Sequence, residues 1–307
     1  MAESPLSIQL EKAAKGDLKT LADLDARGFL CGLHETAEEY AARLKCLLKH
    51  AAELETALAE TGRYEKEGMA FQAQDRIPPS FYRQVDGLCR RLYAFSIDWV
   101  PGFFLDPSFS LLFGGCAYYY LPDFFALFII RRSFRRQERW LIYNRKELLA
   151  HELCHVARIA LNSNRFEEDF AYRTASSPLR RLIGGIFHHE RDSFLFLGSV
   201  FLMLAAQILR TFWMPRLPIW PFWSGIGAVV AWLILRHLNQ AVCRRRALQR
   251  LRPCFGDHAE AVLFRCGDDE IPRIAAMATP RDCEDWCRQQ AKTLLRWKVI
   301  LHRFLKN

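Results

Sequence analysis

Several features that would quickly assign a chain of this length are missing here. Its 307 residues show no internal repeat and no low-complexity segment, and residues 1–5 lead into a polar, amphipathic segment rather than a secretory signal peptide. The ten cysteines are scattered, and Cys283 and Cys287 have no second pair at zinc-finger spacing. We therefore expect a reducing compartment and interpret the cysteines as small, buried apolar residues.

Acidic residues are also fewer than basic ones. The chain has 34 acidic and 43 basic residues, which gives a formal net charge of +9 at pH 7. Such a balance can indicate a nucleic-acid partner, but the arginines cluster beside apolar stretches, as at residues 131–136 and 244–246. Cytoplasmic flanks of membrane helices carry this excess of basic residues. We therefore expect a lipid bilayer, and no nucleic acid, as a partner.

Two stretches without any charged residue are long enough to cross a membrane. They cover residues 193–209 and 217–235, which are 17 and 19 residues, close to the roughly 20 that span a bilayer core as a helix. A short link joins them, so we predict a transmembrane helical hairpin over residues 191–237. The alternative is a pair of buried core helices in a soluble domain, which Pro218 and Pro221 favour because they shorten the second span.

The arginines predict the orientation of this hairpin, because they are more numerous on its two outer sides than in its link. Those before it are Arg180, Arg181 and Arg191, those after it are Arg236, Arg244, Arg245, Arg246, Arg250 and Arg252, and those in the link are Arg210 and Arg216. Cytoplasmic segments carry the excess of basic residues. We therefore expect two spans with both termini and the functional site on the cytoplasmic side.

Helices are predicted at both ends of the chain. Apolar residues recur at helical spacing from Leu6 to about Thr61, with a break marked by Gly28 and Gly32. A final amphipathic helix is predicted from about Asp282 to Phe304. Neither segment contains residues that indicate a chemical role.

Short strands are predicted in the middle of the chain. Apolar and aromatic runs bounded by Gly and Pro cover residues 99–105, 111–121 and 124–130. They are followed by a segment of strong helix formers that starts at about Asn144. The sequence therefore predicts a short sheet followed by a helix, and an edge strand of such a sheet can hold an extended peptide by backbone hydrogen bonds.

The residues that carry chemistry lie in that helical segment. His151, Glu152 and His155 form the pattern His-Glu-x-x-His. Residues four apart share one face of a helix, so both imidazoles can bind one metal ion. The metal would lower the pKa of a bound water toward about 7, and Glu152 would act on that water as the general base.

The alternative is a helix with two exposed or hydrogen-bonded histidines. The neighbours of the motif argue against it, because they make the helix otherwise apolar. These neighbours are Leu148, Leu149, Leu153, Val156 and Ile159. Burying two histidines and a glutamate among such residues is costly unless they have a purpose. We therefore predict a metal site.

A catalytic zinc site has three protein ligands and an open position for water. After the motif, Glu167 and Glu168 start a segment that can return as a second helix. His-Glu-x-x-His followed by Glu168-x-x-Ala171 resembles the gluzincin metallopeptidases, including the HtpX and CAAX prenyl protease group. That resemblance implies a zincin-like α+β domain with one zinc ion per chain, held by His151, His155 and Glu168. It also implies that Ala171 allows the two helices to pack closely.

The match to that group differs in its details. The group usually has an aspartate that supports a zinc histidine where this chain has Tyr172, and Glu147 or Asp169 could supply the support instead. Only 12 residues separate the motif from Glu168, as in compact soluble gluzincins, and the hairpin follows the glutamate helix. Glu167 also stays open as the third ligand, although a helix would point it about 100° away from Glu168.

Residues that assist the transition state are less well defined by the sequence. In many zinc peptidases a downstream His, Tyr or Arg has this role. The candidates here are Tyr172, Arg173, His188 and His189, and the sequence does not choose among them. For the two histidines, the alternative is that they are polar residues at a membrane interface.

These predictions combine into one arrangement. We expect an N-terminal helical region at residues 1–70, a zincin-like catalytic domain at 71–190, the hairpin at 191–237 and a helical cytoplasmic tail at 238–307. The expected function is that of a membrane-anchored zinc metalloendopeptidase, a hydrolase acting on a protein or peptide substrate at the cytoplasmic membrane face. The alternative is a catalytically inactive membrane scaffold, or a metal-binding regulator, that retains the fold.

Overall fold

The computed structural model describes residues 5–66, 68–106, 114–120, 125–141, 143–187 and 190–305. It is a mixed structure in which helices dominate and the sheets are short, in agreement with the expected α+β class at that level. Two of its helices are long and apolar enough to cross a membrane.

The N-terminal region is helical, as predicted, and contains three helices. They are α1 (Pro5–Ala14), α2 (Leu18–Ala26) and α3 (Ala37–Thr61). Thr36 starts α3 with a capping box that it forms with Glu39, and Gly62 ends α3 in the left-handed conformation. The predicted break after α2 contains Gly28, which is also left-handed and has no room for a side chain beside Ile97.

The predicted strands correspond to a small three-stranded sheet. It contains β3 (Gly102–Leu105), β4 (Gly115–Tyr120) and β5 (Phe125–Arg131), in the order β3, β5, β4. β3 is parallel to β5 and β4 is antiparallel to it, so β4 is an edge strand within the described part of the sheet. The parts of the predicted strands at 111–113, 121 and 124 lie outside the described residues.

Two short hairpins and one further helix lie around this sheet. The hairpins pair β1 (Arg63–Lys66) with β2 (Met69–Gln72), and β6 (Arg139–Trp140) with β7 (Tyr143–Asn144). The helix, α4 (Pro79–Tyr93), is absent from the predictions. Its buried residues recur every three or four positions and are Tyr82, Val85, Cys89 and Tyr93. That spacing is the sequence signal for it.

The motif lies on α5 (Arg145–Arg158), which begins where the sequence predicts it. The side chain of Asn144 caps this helix by accepting hydrogen bonds from two backbone N–H groups of its first turn. α5 packs against β4 and α4, and α6 (Glu167–Tyr172) returns beside it. Ala171 is fully buried, as expected for a small residue where two helices approach each other.

The two candidate membrane helices follow a short helix, α7 (Pro178–Ile183). They are α8 (Glu190–Phe212) and α9 (Trp220–Phe255), and they pack against each other. The first predicted span lies within α8, whereas the second begins three residues before α9. α9 continues as one helix of 36 residues, about 54 Å at 1.5 Å per residue. The boundary predicted at residue 237 therefore falls inside α9.

The C-terminal residues form four helices, α10 (Ala259–Phe264), α11 (Glu270–Ala276), α12 (Pro280–Thr293) and α13 (Leu295–Phe304). The single final helix predicted over residues 282–304 is wrong, because an extended Leu294 divides it. Phe264 and Trp297 are fully buried in the same core as Leu149 of α5. The predicted tail thus packs onto the part of the protein that carries the motif.

Candidate metal centre

α5 presents the two motif histidines on one face, as their spacing predicts. The Nε2 atoms of His151 and His155 are 3.1 Å apart. Glu168 approaches from α6, with carboxylate oxygens 3.6 Å from Nε2 of His151 and 3.5 Å from Nε2 of His155. One ligand atom from each of the three residues lies within 4.8 Å of the others. Two imidazole nitrogens and a carboxylate oxygen form a donor set that suits zinc.

Glu167 occupies a different side of His155. Its Oε1 is 3.2 Å from Nδ1 of His155, the ring nitrogen on the far side from the Nε2 pair. Its Oε2 accepts a hydrogen bond of 2.7 Å from Nε of Arg158. An ion held by the Nε2 atoms cannot also be bound from the Nδ1 side. Of the two glutamates that the sequence leaves open, the structure brings Glu168 to both Nε2 atoms.

The two histidines have opposite electrostatic environments. Burial and the positive charge of His155 lower the pKa of His151 well below its usual value. Burial also disfavours the charged form of His155, but a hydrogen bond to Glu167 and the nearby carboxylates outweigh it and raise its pKa to about 9. Burial raises the pKa of Glu168. A cation at this point would offset the cost of holding these groups together away from water.

Glu152 lies beside this group and faces the edge strand β4. The residue is 7% exposed, and its Oε2 accepts a hydrogen bond of 2.9 Å from the N–H of Ala117. Burial raises the pKa of Glu152 to about 7, against the opposing effects of His155 and of the Ala117 hydrogen bond. A carboxylate with a pKa near neutral is suited to taking up and releasing a proton.

A cavity of about 300 Å³ opens onto these residues. It is lined by Gly115, Tyr143, Glu147, Leu148, His151, Glu152, Glu168, Tyr172, Thr174, Ala175, Arg180 and Phe187. The ring of Tyr172 stands edge-on to that of His151, with centroids 4.7 Å apart. Gly184 packs so closely on Tyr172 that a Cβ there would overlap the ring. The cavity wall next to His151 therefore depends on this glycine.

The residues predicted to assist the transition state have different positions. Tyr172 lines the cavity. Arg173 is not among the lining residues, and its Nε pairs with Glu260 at 2.8 Å. His188 and His189 lie outside the described residues. Of these four candidates, Tyr172 is the one that the described structure brings to the site.

The support predicted from Glu147 or Asp169 for a zinc histidine is wrong. Oε2 of Glu147 accepts a hydrogen bond of 2.6 Å from Nη1 of Arg180. Asp169 pairs with Arg244 of α9 at 2.5 Å. The carboxylate that contacts a motif histidine, at Nδ1 of His155, is Glu167 instead. It precedes Glu168 directly, so the turn of α6 places the two carboxylates on different sides of the same imidazole.

Arg180 and Tyr143 are among the lining residues that the sequence does not predict as part of the site. Arg180 of α7 reaches the cavity, and its guanidinium lies 5.9 Å from the ring of Tyr143. In the sequence, Arg180 is recognised only as a basic residue beside the hairpin, because its position depends on how the chain turns between α6 and α7.

No family model, no curated protein and no solved structure matches this chain.

Proposed function

We propose that the chain is a zinc-dependent metallopeptidase of the gluzincin type. The observation that carries this proposal is the convergence of His151, His155 and Glu168, with Glu152 beside them on the same cavity. Zinc held by those three residues would polarise a substrate carbonyl and lower the pKa of water. Glu152, with a pKa of about 7, would accept a proton from water and deliver it to the leaving amine.

The edge strand β4 supports a peptide as the substrate. It borders α5, and the N–H of Ala117 is directed to Glu152 and not to β5. An extended peptide can add to such an edge through backbone hydrogen bonds. Gly115, at the start of β4, lines the cavity. A peptide bound along β4 would therefore pass the metal ligands, which is the arrangement required of an endopeptidase.

We also propose that α8 and α9 cross a bilayer as a hairpin. Only 11% of the apolar window in α8 and 17% of that in α9 is buried in the protein. A core helix would bury most of such a window, so this exposure favours lipid over the alternative of soluble core helices. Trp213, Trp220 and Trp223 are exposed at the turn of the hairpin, where interfacial aromatics are expected.

In this arrangement the cavity opens close to the membrane surface. Phe187 lines the cavity and packs on Phe196 of α8, with ring centroids 6.0 Å apart. His237, two residues beyond the second predicted span, contacts the carbonyl of Leu182 in α7 with its Nε2 at 2.5 Å. α7 thus lies at the level where the span ends, and its large apolar side chains are exposed there. They are Leu179, Leu182 and Ile183.

The substrate would accordingly be a protein or peptide presented at the membrane face. The arginines on the outer sides of the hairpin favour the cytoplasmic face. The contacts between α7, α8 and α9 support a site that is fixed next to the bilayer and not carried on a flexible linker.

Elemental analysis of the detergent-purified chain tests the metal site. We expect about one zinc ion per chain, lost in His151→Ala, His155→Ala and Glu168→Ala because each removes one of the three donors. A wild-type chain that holds no zinc, even after zinc is added, would contradict the proposal and favour the inactive scaffold.

Hydrolysis of a dye-labelled unfolded protein tests the activity. We expect the zinc-loaded wild type to cleave it and Glu152→Gln to retain zinc without cleaving it. A wild type that binds zinc stoichiometrically but cleaves neither this probe nor co-reconstituted membrane proteins would favour the metal-binding regulator.

Carbonate extraction of membranes tests the hairpin. We expect the chain to stay in the pellet at high pH and to be released by detergent, because its apolar helices lie in the lipid. Release by carbonate alone would contradict the hairpin and support a pair of core helices.

A further inference from the structure

Arg158, the last residue of α5, has a side chain that is fully shielded from solvent. A buried guanidinium is tolerated only where its N–H groups find acceptors. Its Nε donates to Oε2 of Glu167 at 2.7 Å, and its Nη2 donates to Oγ of Ser163 at 2.8 Å. Its Nη1 donates to the backbone carbonyl of Phe264. Arg158 therefore connects the metal motif to a segment more than 100 residues further along the chain.

We name residues 264–268 the C-terminal support segment. Besides its carbonyl contacts with Arg158, it supplies Asp268, whose carboxylate accepts a hydrogen bond of 2.6 Å from Oγ of Ser163. The same carboxylate accepts hydrogen bonds from the backbone N–H of Asn164 at 2.7 Å and of Arg165 at 2.8 Å. These residues form the loop between α5 and α6. The support segment thus fixes the loop directly before the two glutamates of α6.

Glu167 connects Arg158 to the motif histidine His155. One of its oxygens is held by Arg158, and the other lies 3.2 Å from Nδ1 of His155. An Nδ1–H that donates to a carboxylate fixes the ring orientation and the tautomer, and leaves the lone pair of Nε2 free to bind a metal. Nε2 is the atom that faces His151 and Glu168.

We infer that the C-terminal support segment is part of the metal centre, acting through Arg158 and Glu167 to hold His155 in its metal-binding orientation. This inference rests on the proposed metal site. It makes Glu167 a positioning residue and not a ligand. It also gives a role to the C-terminal helices, which the sequence alone leaves without one. The supporting aspartate expected by resemblance is replaced here by a carboxylate from a different position.

Zinc affinity and the visible spectrum of bound Co²⁺ test the role of Glu167. In the full-length, detergent-purified chain, Glu167→Ala should weaken zinc binding about 10–100-fold, the usual effect of losing a carboxylate behind a metal histidine. The Co²⁺ absorption bands should shift, because the ligand field of His155 changes. Glu167→Gln should recover part of the affinity, since its amide oxygen can still accept a hydrogen bond from Nδ1.

Asp169→Asn is the matched control for these variants. Asp169 also lies on α6 and also pairs with a buried arginine, Arg244, but it does not contact either histidine. We expect zinc affinity and the Co²⁺ spectrum to stay at wild-type values. A change of general stability alone would affect Asp169→Asn as much as Glu167→Gln, so the comparison separates positioning of the histidine from folding.

A second pair of variants tests the support segment itself. Asp268→Asn removes the charge that holds the loop before α6 and should weaken zinc binding about threefold to tenfold, less than loss of the direct contact. Asp269→Asn, at the exposed neighbouring position, should leave zinc affinity unchanged.

The possible results are distinguishable. The inference would be overturned if zinc affinity stays within twofold of wild type in Glu167→Ala, Glu167→Gln and Asp268→Asn. The proposed metal site would remain intact in that case, provided that Glu168→Ala still abolishes zinc binding. A wild type that binds no metal would overturn both. An equal loss in Glu167→Gln and Asp169→Asn, with an unshifted Co²⁺ spectrum, would also overturn it, because the role would then be structural only.

Discussion

The region of the metal motif buries polar side chains, whereas the hairpin exposes large apolar ones. Both differ from the usual soluble protein, in which polar side chains are exposed and apolar ones are buried. Around α5 and α6, titratable side chains of the motif such as Glu152 and His155 lie largely out of water. Along α8 and α9, large apolar side chains such as Phe201 and Leu202 are exposed. Buried charge and extended exposed apolar surface both cost free energy in water unless something else contacts them. The partners proposed above would offset this cost, a cation in one region and lipid in the other.

The two regions should also respond differently to substitutions. The proposed metal centre would depend on a few atoms at fixed distances, so removing one donor or one proton acceptor should be decisive. The hairpin depends on the area and polarity of its surface, so exchanges among apolar residues should be tolerated and a charge should not. The following substitutions are chosen to separate these two kinds of dependence.

The largest effect is expected from Glu152→Gln. If Glu152 is the general base, as proposed, its loss should lower turnover by about 100-fold to 10,000-fold, while the three proposed zinc ligands stay in place. The measurement is the rate of proteolysis per zinc-loaded chain. Glu138→Gln is the control, because that glutamate lies on the surface and pairs with Lys146. Equal rates for Glu152→Gln and the wild type would remove Glu152 from the mechanism.

A charge in the middle of α8 is the next test. Leu202→Asp should cost about 2.5–3.5 kcal/mol of insertion free energy, and should increase the fraction of chain that carbonate extracts from membranes. Ile8→Asp places the same charge on an exposed apolar position of α1, outside the hairpin, and should leave extraction unchanged. If both variants behave like the wild type, α8 does not face lipid.

A smaller effect is expected from Gly184→Ala, which links the two regions. The added methyl group overlaps the ring of Tyr172, so the wall of the cavity must shift. We expect proteolysis to fall about tenfold, less than the roughly 100-fold that a 1 Å misplacement of a site can cost. Gly198→Ala in α8 meets open space and should be neutral. Unchanged proteolysis in Gly184→Ala would show that Tyr172 does not position the substrate or the ligands.

The smallest effect concerns the pH dependence of stability. Burial disfavours ionisation of Asp268, but hydrogen bonds from Ser163, Arg165 and Asn164 outweigh it and lower its pKa below 3.8. An acid with a lowered folded-state pKa stabilises the fold above its unfolded pKa, and this contribution disappears as the pH falls through the folded value. Asp268→Asn should therefore be less stable at pH 7 by about 1 kcal/mol, since the carboxylate is partly exposed.

Thermal unfolding of the detergent-purified chain measures this difference. The gap in midpoint temperature between wild type and Asp268→Asn should be full at pH 7 and should shrink as the pH falls below about 4. Asp269→Asn should show no gap at either pH. A gap that is the same at pH 7 and pH 3.5 would mean that the charge of Asp268 is not what holds the loop.

Much of the fold follows from local patterns in the sequence. The strands near residues 102–105, 115–120 and 125–131 and the start of α5 lie close to their predicted positions, because alternating apolar runs and capping residues act over a few neighbours. The spacing of its apolar residues is a local signal for α4, although α4 is absent from the predictions. The break at Leu294 was not recognisable, because packing of α12 and α13 against the common core decides it.

The sequence by itself determined the parts of this protein that depend on neighbours along the chain. The spacing of His151 and His155 puts them on one helix face, and two uncharged runs define the candidate spans. Only the tertiary structure decided that Glu168 meets the Nε2 atoms and that Glu167 lies behind His155. The return of α6 beside α5 sets that difference, and hydrogen bonds to Asp268 hold the loop between the two helices. Such contacts join residues about 100 positions apart, which no local pattern records.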